Sequence, residues 1–550
     1  MLRRRAGLRR PARGWGAEVH GTAGGHDEHE HRVEAQRFHL ARLARLAGRL
    51  AGRLDDLTRE MQARAAAGAL LGPGSERFTG RVHLDVARLE GALHHTADLV
   101  TRFVPGPAPA VAAFLYLEPL VDMRRLRAVV GDLEELARRG ERGVMADPGW
   151  WEIGGRVGRA DTLPHAVRRV LAGHAVLLLE GRPCAWTFDV RGFPRRAVEE
   201  PDAERLVRGP RDGLVEDLQT NLALIRMRLS SPRLVVRRYR LGDVAGSRVA
   251  LLYVEGIAPP EVVQEAETRL HRVRSDALLD TGQLEQWLED QPRSPFPQVM
   301  ETERPDRVVA NLLAGRVAFL VEGSPFAVVA PAVLLQFYQS PEDYYQRWPA
   351  ATLVRMIREI AMAVSLLLPA LYIAFVSFHP EMLPSTLAVL LASARSGVPF
   401  PAIGEAILLE TAVEILREAS IRLPGPIGPT ISIVGGLIIG EMTVSAGLVS
   451  PAMVIVAGVT AIGSFAAPSY AGAIALRILR YPLMIAASLF GLYGVVIGLL
   501  LILIHLADLE SFGLPYLYPL VPPRSFSNLK DTLVRAPVSA VLRGEGDTHR

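Results

Sequence analysis

Five carboxylates stand among apolar residues, and at membrane depth such groups attract or bind cations. Glu405, Glu410, Glu414 and Glu418 fall within Pro384 to Arg422, an interrupted apolar stretch with helical spacing. On a helix advancing about 100° per residue, Glu410, Glu414, Arg417 and Glu418 share one face. Leu408, Leu409, Ala412, Ile415 and Leu416 cover the other, and Glu405 falls on that apolar side. An ionisable group at the bilayer centre costs ~2.5–3.5 kcal/mol on insertion scales, so these faces should meet protein or water. Repeated around an oligomer, an acidic face becomes a cation-attracting ring. The competing expectation is an amphipathic helix at the interface, with Glu414 and Glu418 paired to Arg417 and Arg422. Glu441 lies within Ile431 to Leu448, beside Gly435, Gly436 and Gly440, which let another helix approach closely. It is expected to avoid lipid in tight packing, either lining a conduction path or hydrogen-bonding a neighbouring helix. His505 reads as an interfacial residue rather than a proton relay.

These residues need a membrane scaffold, and Ala350 to Leu509 supplies one. Ile360 to Phe378, Thr430 to Leu448, Pro451 to Tyr470 and Pro482 to Leu506 each approach or exceed the ~20 apolar residues that cross a ~30 Å hydrocarbon core, which predicts four spans. In 550 residues, 49% hydrophobic and 22% charged side chains suit a soluble part joined to a membrane part. A formal charge of +4 gives no basic field for nucleic acid. The single cysteine, Cys184, excludes an internal disulfide and reads as a small buried apolar residue. No H-E-x-x-H, G-x-S-x-G, complete P-loop or spaced carboxylate pair in a soluble cleft is present, so no enzyme, cofactor or metal site is expected. His26, His29 and His31 stand in a polar glycine-rich tail and read as unstructured.

The expected organisation has five parts. Residues 1–75 form a disordered basic extension with no apolar core of a secretory signal, carrying an amphipathic helix with Leu43, Leu46, Leu50, Leu54 and Leu57. Soluble subdomains follow at 76–230 and 231–349, then a membrane domain at 350–509 and a polar tail at 510–550. The subdomains come from an internal repeat. Phe114-Leu-Tyr-Leu-Glu118 with its helix matches Leu251-Leu-Tyr-Val-Glu255 with its own. Leu171-Ala-Gly173 and LLLEGRPCA (177–185) match Leu313-Ala-Gly315 and FLVEGSPFA (319–327). Both copies carry a Glu-Gly-x-Pro hairpin turn. The fold class is therefore α+β, two related strand-helix-hairpin subdomains, followed by an α-helical multi-span membrane domain. Between the copies, Val207-Arg-Gly-Pro-Arg-Asp-Gly213 precedes a helix, but it lacks a Walker lysine and serine and reads as a structural turn.

That loop, with Asp98-Leu-Val-Thr-Arg-Phe103, Glu303-Arg-Pro-Asp306, Gln339-Ser-Pro-Glu-Asp-Tyr-Tyr345, Ser377-Phe-His-Pro-Glu-Met382, Gly397-Val-Pro-Phe-Pro401 and Leu416-Arg-Glu-Ala419, resembles the A subunit of GerA-type spore germinant receptors. Pro426-Ile-Gly428, Val449-Ser-Pro-Ala-Met453 and Ser511-Phe-Gly-Leu-Pro515 continue the resemblance, which runs from about Asp98 to Pro522 and extends to stage V sporulation protein AF. It implies a multi-pass protein of the inner spore membrane, working with a permease-like B subunit and a lipoprotein C subunit. It also implies a homo-oligomeric ring that passes ions when germinant binds. The alternatives are an assembly scaffold for the permease-like receptor and a secondary transporter. Repeats confined to the soluble part argue against the transporter. Arg355 and Arg358, beside the first span, predict that the soluble region faces the spore core, with Arg417, Arg422, Arg477 and Arg480 on that same side. That requires the chain to return across the membrane before Arg417, and the last span would then put the tail outside, against Arg524, Lys530 and Arg535, so the tail's side stays open.

Overall fold

The computed structural model describes residues 77–105, 111–139, 157–192, 200–201, 204–422, 427–521, 531–532 and 534–537. The N-terminal extension, with its histidines and leucine stripe, lies outside the described residues, as do Arg524 and Lys530.

The repeat is larger than the sequence echo. The first copy runs α1 (Val82–Ala92), β1 (Leu99–Pro105), β2 (Val111–Leu117), α2 (Met123–Arg139), β3 (Val157–Ala160), α3 (Leu163–Leu171), β4 (Ala175–Leu179) and β5 (Ala185–Phe188). The second runs α4 (Leu218–Arg228), β6 (Leu234–Leu241), β7 (Ser247–Val254), α5 (Pro260–Arg272), α6 (Thr281–Leu288), β8 (Met300–Thr302), α7 (Pro305–Leu313), β9 (Val317–Val321) and β10 (Ala327–Ala330). Each copy builds one antiparallel five-stranded sheet with the same strand order, β1-β2-β4-β5-β3 and β6-β7-β9-β10-β8. The echoed strands β2, β4, β7 and β9 lie inside the sheets, where helices cover both faces. Hence AVLLL and VAFLV are buried at every position rather than alternating.

Backbone chemistry repeats as well. Helices α3 and α7 each carry proline in their first turn and end in an alanine followed by a glycine of positive φ, Gly173 (+80°) and Gly315 (+83°). The hairpin glycines Gly181 and Gly323 sit at φ +82° and +91°. Helix α4 lies between the copies: Leu218, Leu222 and Ile225 pack into the core of the second sheet, while Ala223 packs into that of the first.

After a single helical turn at Glu342–Tyr345, six longer helices are described: α8 (Trp348–Ser377), α9 (Ser385–Arg395), α10 (Ala402–Arg422), α11 (Ile427–Ser445), α12 (Pro451–Ser464) and α13 (Tyr470–Asp508). Here the expected four spans need correction. Among the described residues, α8 and α13 are long and apolar enough to cross a membrane. The third expected span ends early, because α12 has 14 residues, about 21 Å at 1.5 Å per residue. The fourth is not one straight helix. Gly491 breaks α13 with φ 58° and ψ −138°, and the chain folds back: Gly494 and Gly498 lie against Ala486 and Leu483. Ala475 and Leu506 share one core cluster. Helix α13 is thus a hairpin whose tip, Gly491, meets Phe378 and His379 just beyond the end of α8.

Both ends of the hairpin return to the second sheet. Gly472 packs on Phe337, and Leu506, Leu509 and Tyr516 enter the core that holds Leu312, Leu320 and Val329. Ser294 Oγ and His505 Nε2 lie 2.8 Å apart, so His505 links the last helix to the soluble region.

Candidate functional site

Three of the four acidic residues of α10, Glu405, Glu410 and Glu414, are held by arginines from neighbouring helices. Glu410, almost fully enclosed, accepts a hydrogen bond from Arg480 of α13, whose other amino group donates to Ser365 of α8 at 2.8 Å. One turn on, Glu414 bridges Arg417 (2.9 Å) and Arg477 (3.0 Å), and Arg417 also donates to Ser464 at 2.7 Å. Glu418 pairs with Arg422 on an exposed surface. The pairing of Glu414 and Glu418 with Arg417 and Arg422 is therefore present within one chain, and Glu410 and Glu414 are neutralised across helices as well. In the sequence, Arg477 and Arg480 read only as topology markers. Their signal was available: two arginines one turn apart in an apolar helix need two acids one turn apart, which Glu410 and Glu414 provide.

Glu405 belongs to a different arrangement. It is fully buried, accepts from Arg395 Nε at 3.0 Å, and accepts from the backbone N–H of Ser450 at 2.8 Å. Ser450 caps α12 and lies 3.0 Å from the Tyr372 hydroxyl. Glu405 thus joins α9, α10 and the start of α12, as a buried carboxylate must when it is to stay charged.

Glu441 departs from its expected packing. The small residues of α11 do meet neighbours, Gly435 against Leu416 and Gly440 towards Val454. Glu441 itself points away from them and is exposed, on a face shared with Leu437, Ile438 and Met442. Glycine spacing located the packed stripe; Glu441 lies on the other side of the helix.

A second polar assembly joins the soluble region to α8. Arg355, with no exposed surface, donates to Asp343 Oδ2 (3.1 Å) and to the carbonyls of Asp531 (3.2 Å) and Thr532 (3.1 Å). Arg358 pairs with the same Asp343 at 3.2 Å. These arginines are structural ion-pair partners as well as charges beside a span. The loop at 207–213 is equally structural. Arg304 donates to the Pro210 carbonyl at 2.9 Å, Arg228 pairs with Asp212, and Gly209 lies against Tyr345. Three of the sequence motifs therefore converge on one junction. Among the described residues, no cluster of His, Cys, Asp and Glu has the grouping of a metal site.

The sequence model of the Bacillus/Clostridium GerA spore germination proteins matches residues 87–544. The chain belongs to that family. Among GerA relatives, spore germination protein KA of Bacillus subtilis is 41% identical over 76% of this chain and 75% of its own length. Spore germination protein GerLA of Bacillus cereus is 44% identical over 70% and 78%. Spore germination protein B1 of Bacillus subtilis is 40% identical over 80% and 91%. Among solved structures, the N-terminal domain of the A subunit of the Bacillus megaterium spore germinant receptor GerK3 matches at 26% identity, over 47% of this chain and 98% of that one, with a TM-score of 0.37. The GerA match spans both sheets and all six membrane-region helices.

Proposed function

We propose that this GerA-family chain is a membrane subunit of a spore germinant receptor, oligomerising to form or gate an ion-conducting path that opens on nutrient sensing. It sits in the inner spore membrane with its soluble region towards the spore core, and its partners are a permease-like B subunit and a lipoprotein C subunit. The observation that carries this reading is Glu441, an exposed carboxylate on a face of α11 otherwise made of Leu437, Ile438 and Met442. Facing lipid near midplane, it would cost ~2.5–3.5 kcal/mol; facing a ring interior, it would meet water and draw cations. The α10 carboxylates, already paired with arginine, serve chiefly to hold the bundle, with Glu410 and Glu414 lining the path only secondarily.

Replacing Glu441 by Gln should slow potassium release after germinant addition in spores while leaving protein level and assembly intact, because the amide keeps hydrogen bonds but loses the field. Glu414→Gln should lower abundance, since it removes the negative charge that Arg417 and Arg477 share and turns one of the two acceptor oxygens into a donor. Normal release from Glu441→Gln at normal abundance would remove the conducting role and leave the assembly scaffold.

A further inference from the structure

The charged cluster between α10 and α13 does not balance. Beside Arg417, the ion-paired side chains of this cluster are Glu410, Glu414, Arg477 and Arg480. With Arg417 itself, these make three guanidinium groups against two carboxylates, a surplus of one positive charge. Arg477 makes one hydrogen bond, from Nη1 to Glu414. The Arg417 and Arg477 side chains each keep a little open surface, 10% and 13% of the side chain. An uncompensated charge in such surroundings is costly unless an anion comes to it.

The cluster also has a definite depth. Gly463 lies against the Ala361 carbonyl, where the apolar run of α8 begins, and Ser464 receives the Arg417 hydrogen bond. Arg417 and Arg477 are therefore level with the end of the apolar run nearer the soluble region, and Arg480, bonded to Ser365, is a turn deeper. At the same level, Phe465 and Tyr470 flank the turn between α12 and α13 and are 71% and 62% exposed. Arg417 lies 4.6 Å from the Phe465 ring centre and Arg477 lies 5.7 Å from that of Tyr470. Exposed aromatic rings carrying arginines suit the headgroup layer, where the ring is shielded by acyl chains and the charge meets phosphate.

We propose that Arg417 and Arg477, with Phe465 and Tyr470, dock the phosphate of an anionic phospholipid in the leaflet on the soluble-region side. The proposal rests on the reading that α8 and α13 cross a membrane. The full-length chain would be reconstituted into phosphatidylcholine bilayers with and without phosphatidylglycerol, and retained lipid counted by native mass spectrometry. Phosphatidylglycerol should be retained in preference to phosphatidylcholine and should raise the thermal midpoint. Arg417→Gln and Arg477→Gln should each weaken its retention about fivefold, whereas Arg477→Lys, which keeps the charge, should weaken it less.

Equal retention of the two lipids by an inserted chain overturns the proposal, and this comparison needs only the wild-type protein should a variant fail to fold. Unchanged retention in both glutamine variants also overturns it. Displacement of phosphatidylglycerol by inorganic phosphate at equal concentration replaces it with a free-anion site. A chain that does not insert at all overturns the membrane reading instead, by a separate readout.

Discussion

Gly181 and Gly323 occupy the same turn in the two repeats, and positive φ at both strains any residue that carries a Cβ. A Cβ at Gly181 would meet nothing within 4 Å, so the penalty there is backbone strain alone. Gly181→Val or Gly323→Val should therefore cost about 1–3 kcal/mol of stability, seen as a lower denaturation midpoint of the solubilised chain. Glu285 on α6 offers a different test. Burial, then Glu301 and Glu289, push its carboxyl up to about 8 from an ordinary 4.5. Between those values the folded state holds a proton that the unfolded state has released, so stability falls as pH rises through that window. Glu285→Gln should remove the fall and add about 1–2 kcal/mol at pH 9, after allowance for its partial exposure, read from the midpoint against pH. At this scale the sequence shows which residues are unusual but not who answers them. Glu410 was legible as an acid in an apolar helix; its partner Arg480 lies 70 positions away and is brought to it by packing.

Elements repeat because their turn and cap chemistry repeats, which is why the two sheets could be matched from short strings such as Leu-Ala-Gly and Glu-Gly-x-Pro. The leading helix and edge strand of each copy stand outside the repeat as the sequence shows it, because α1 and α4 carry no shared string. What joins the copies is also hidden in a motif whose role spacing does not reveal. Asp98 receives Arg226 Nε at 2.9 Å and Nη2 at 2.8 Å, both side chains being enclosed. The Ala97 N–H continues the link to the Val236 carbonyl of β6. Asp98→Ala leaves a buried guanidinium without its carboxylate and should cost about 3–5 kcal/mol, whereas Arg125→Ala, which removes the exposed partner of Asp122, should cost under about 1 kcal/mol. Denaturation of the two variants side by side tests the contrast. The break at Gly491 was illegible for another reason: apolar composition continues unchanged through it, and only the length of α13 gives warning. Its 39 residues would extend about 58 Å as one helix, far beyond a ~30 Å core.

At the scale of the whole molecule, the hairpin resolves the question left by counting spans. Helix α8 leaves the soluble region at Trp348 and ends at Ser377, where Phe378 and His379 meet the tip of α13. Both ends of α13 lie back at the second sheet. The tail segment is fastened there too: Arg535 lies 4.4 Å from the Tyr344 ring centre, and the Tyr344 hydroxyl donates to Asp531 at 2.9 Å. If the bundle spans a bilayer, tail and soluble region must share a side, which satisfies Arg535 without an extra crossing. The native thiol cannot report this, since Cys184 is only 4% exposed and would resist labelling from either side. In a Cys184→Ser background, Val244→Cys and Val534→Cys place thiols at exposed positions in the soluble region and the tail, and Met382→Cys places one beyond the end of α8. An impermeant thiol reagent added outside intact spheroplasts should label Met382→Cys alone, and Val244→Cys and Val534→Cys should label together once the cells are opened. Labelling of Val534→Cys from outside, with Val244→Cys protected, would separate the tail from the soluble region and require the α13 hairpin to be one straight span.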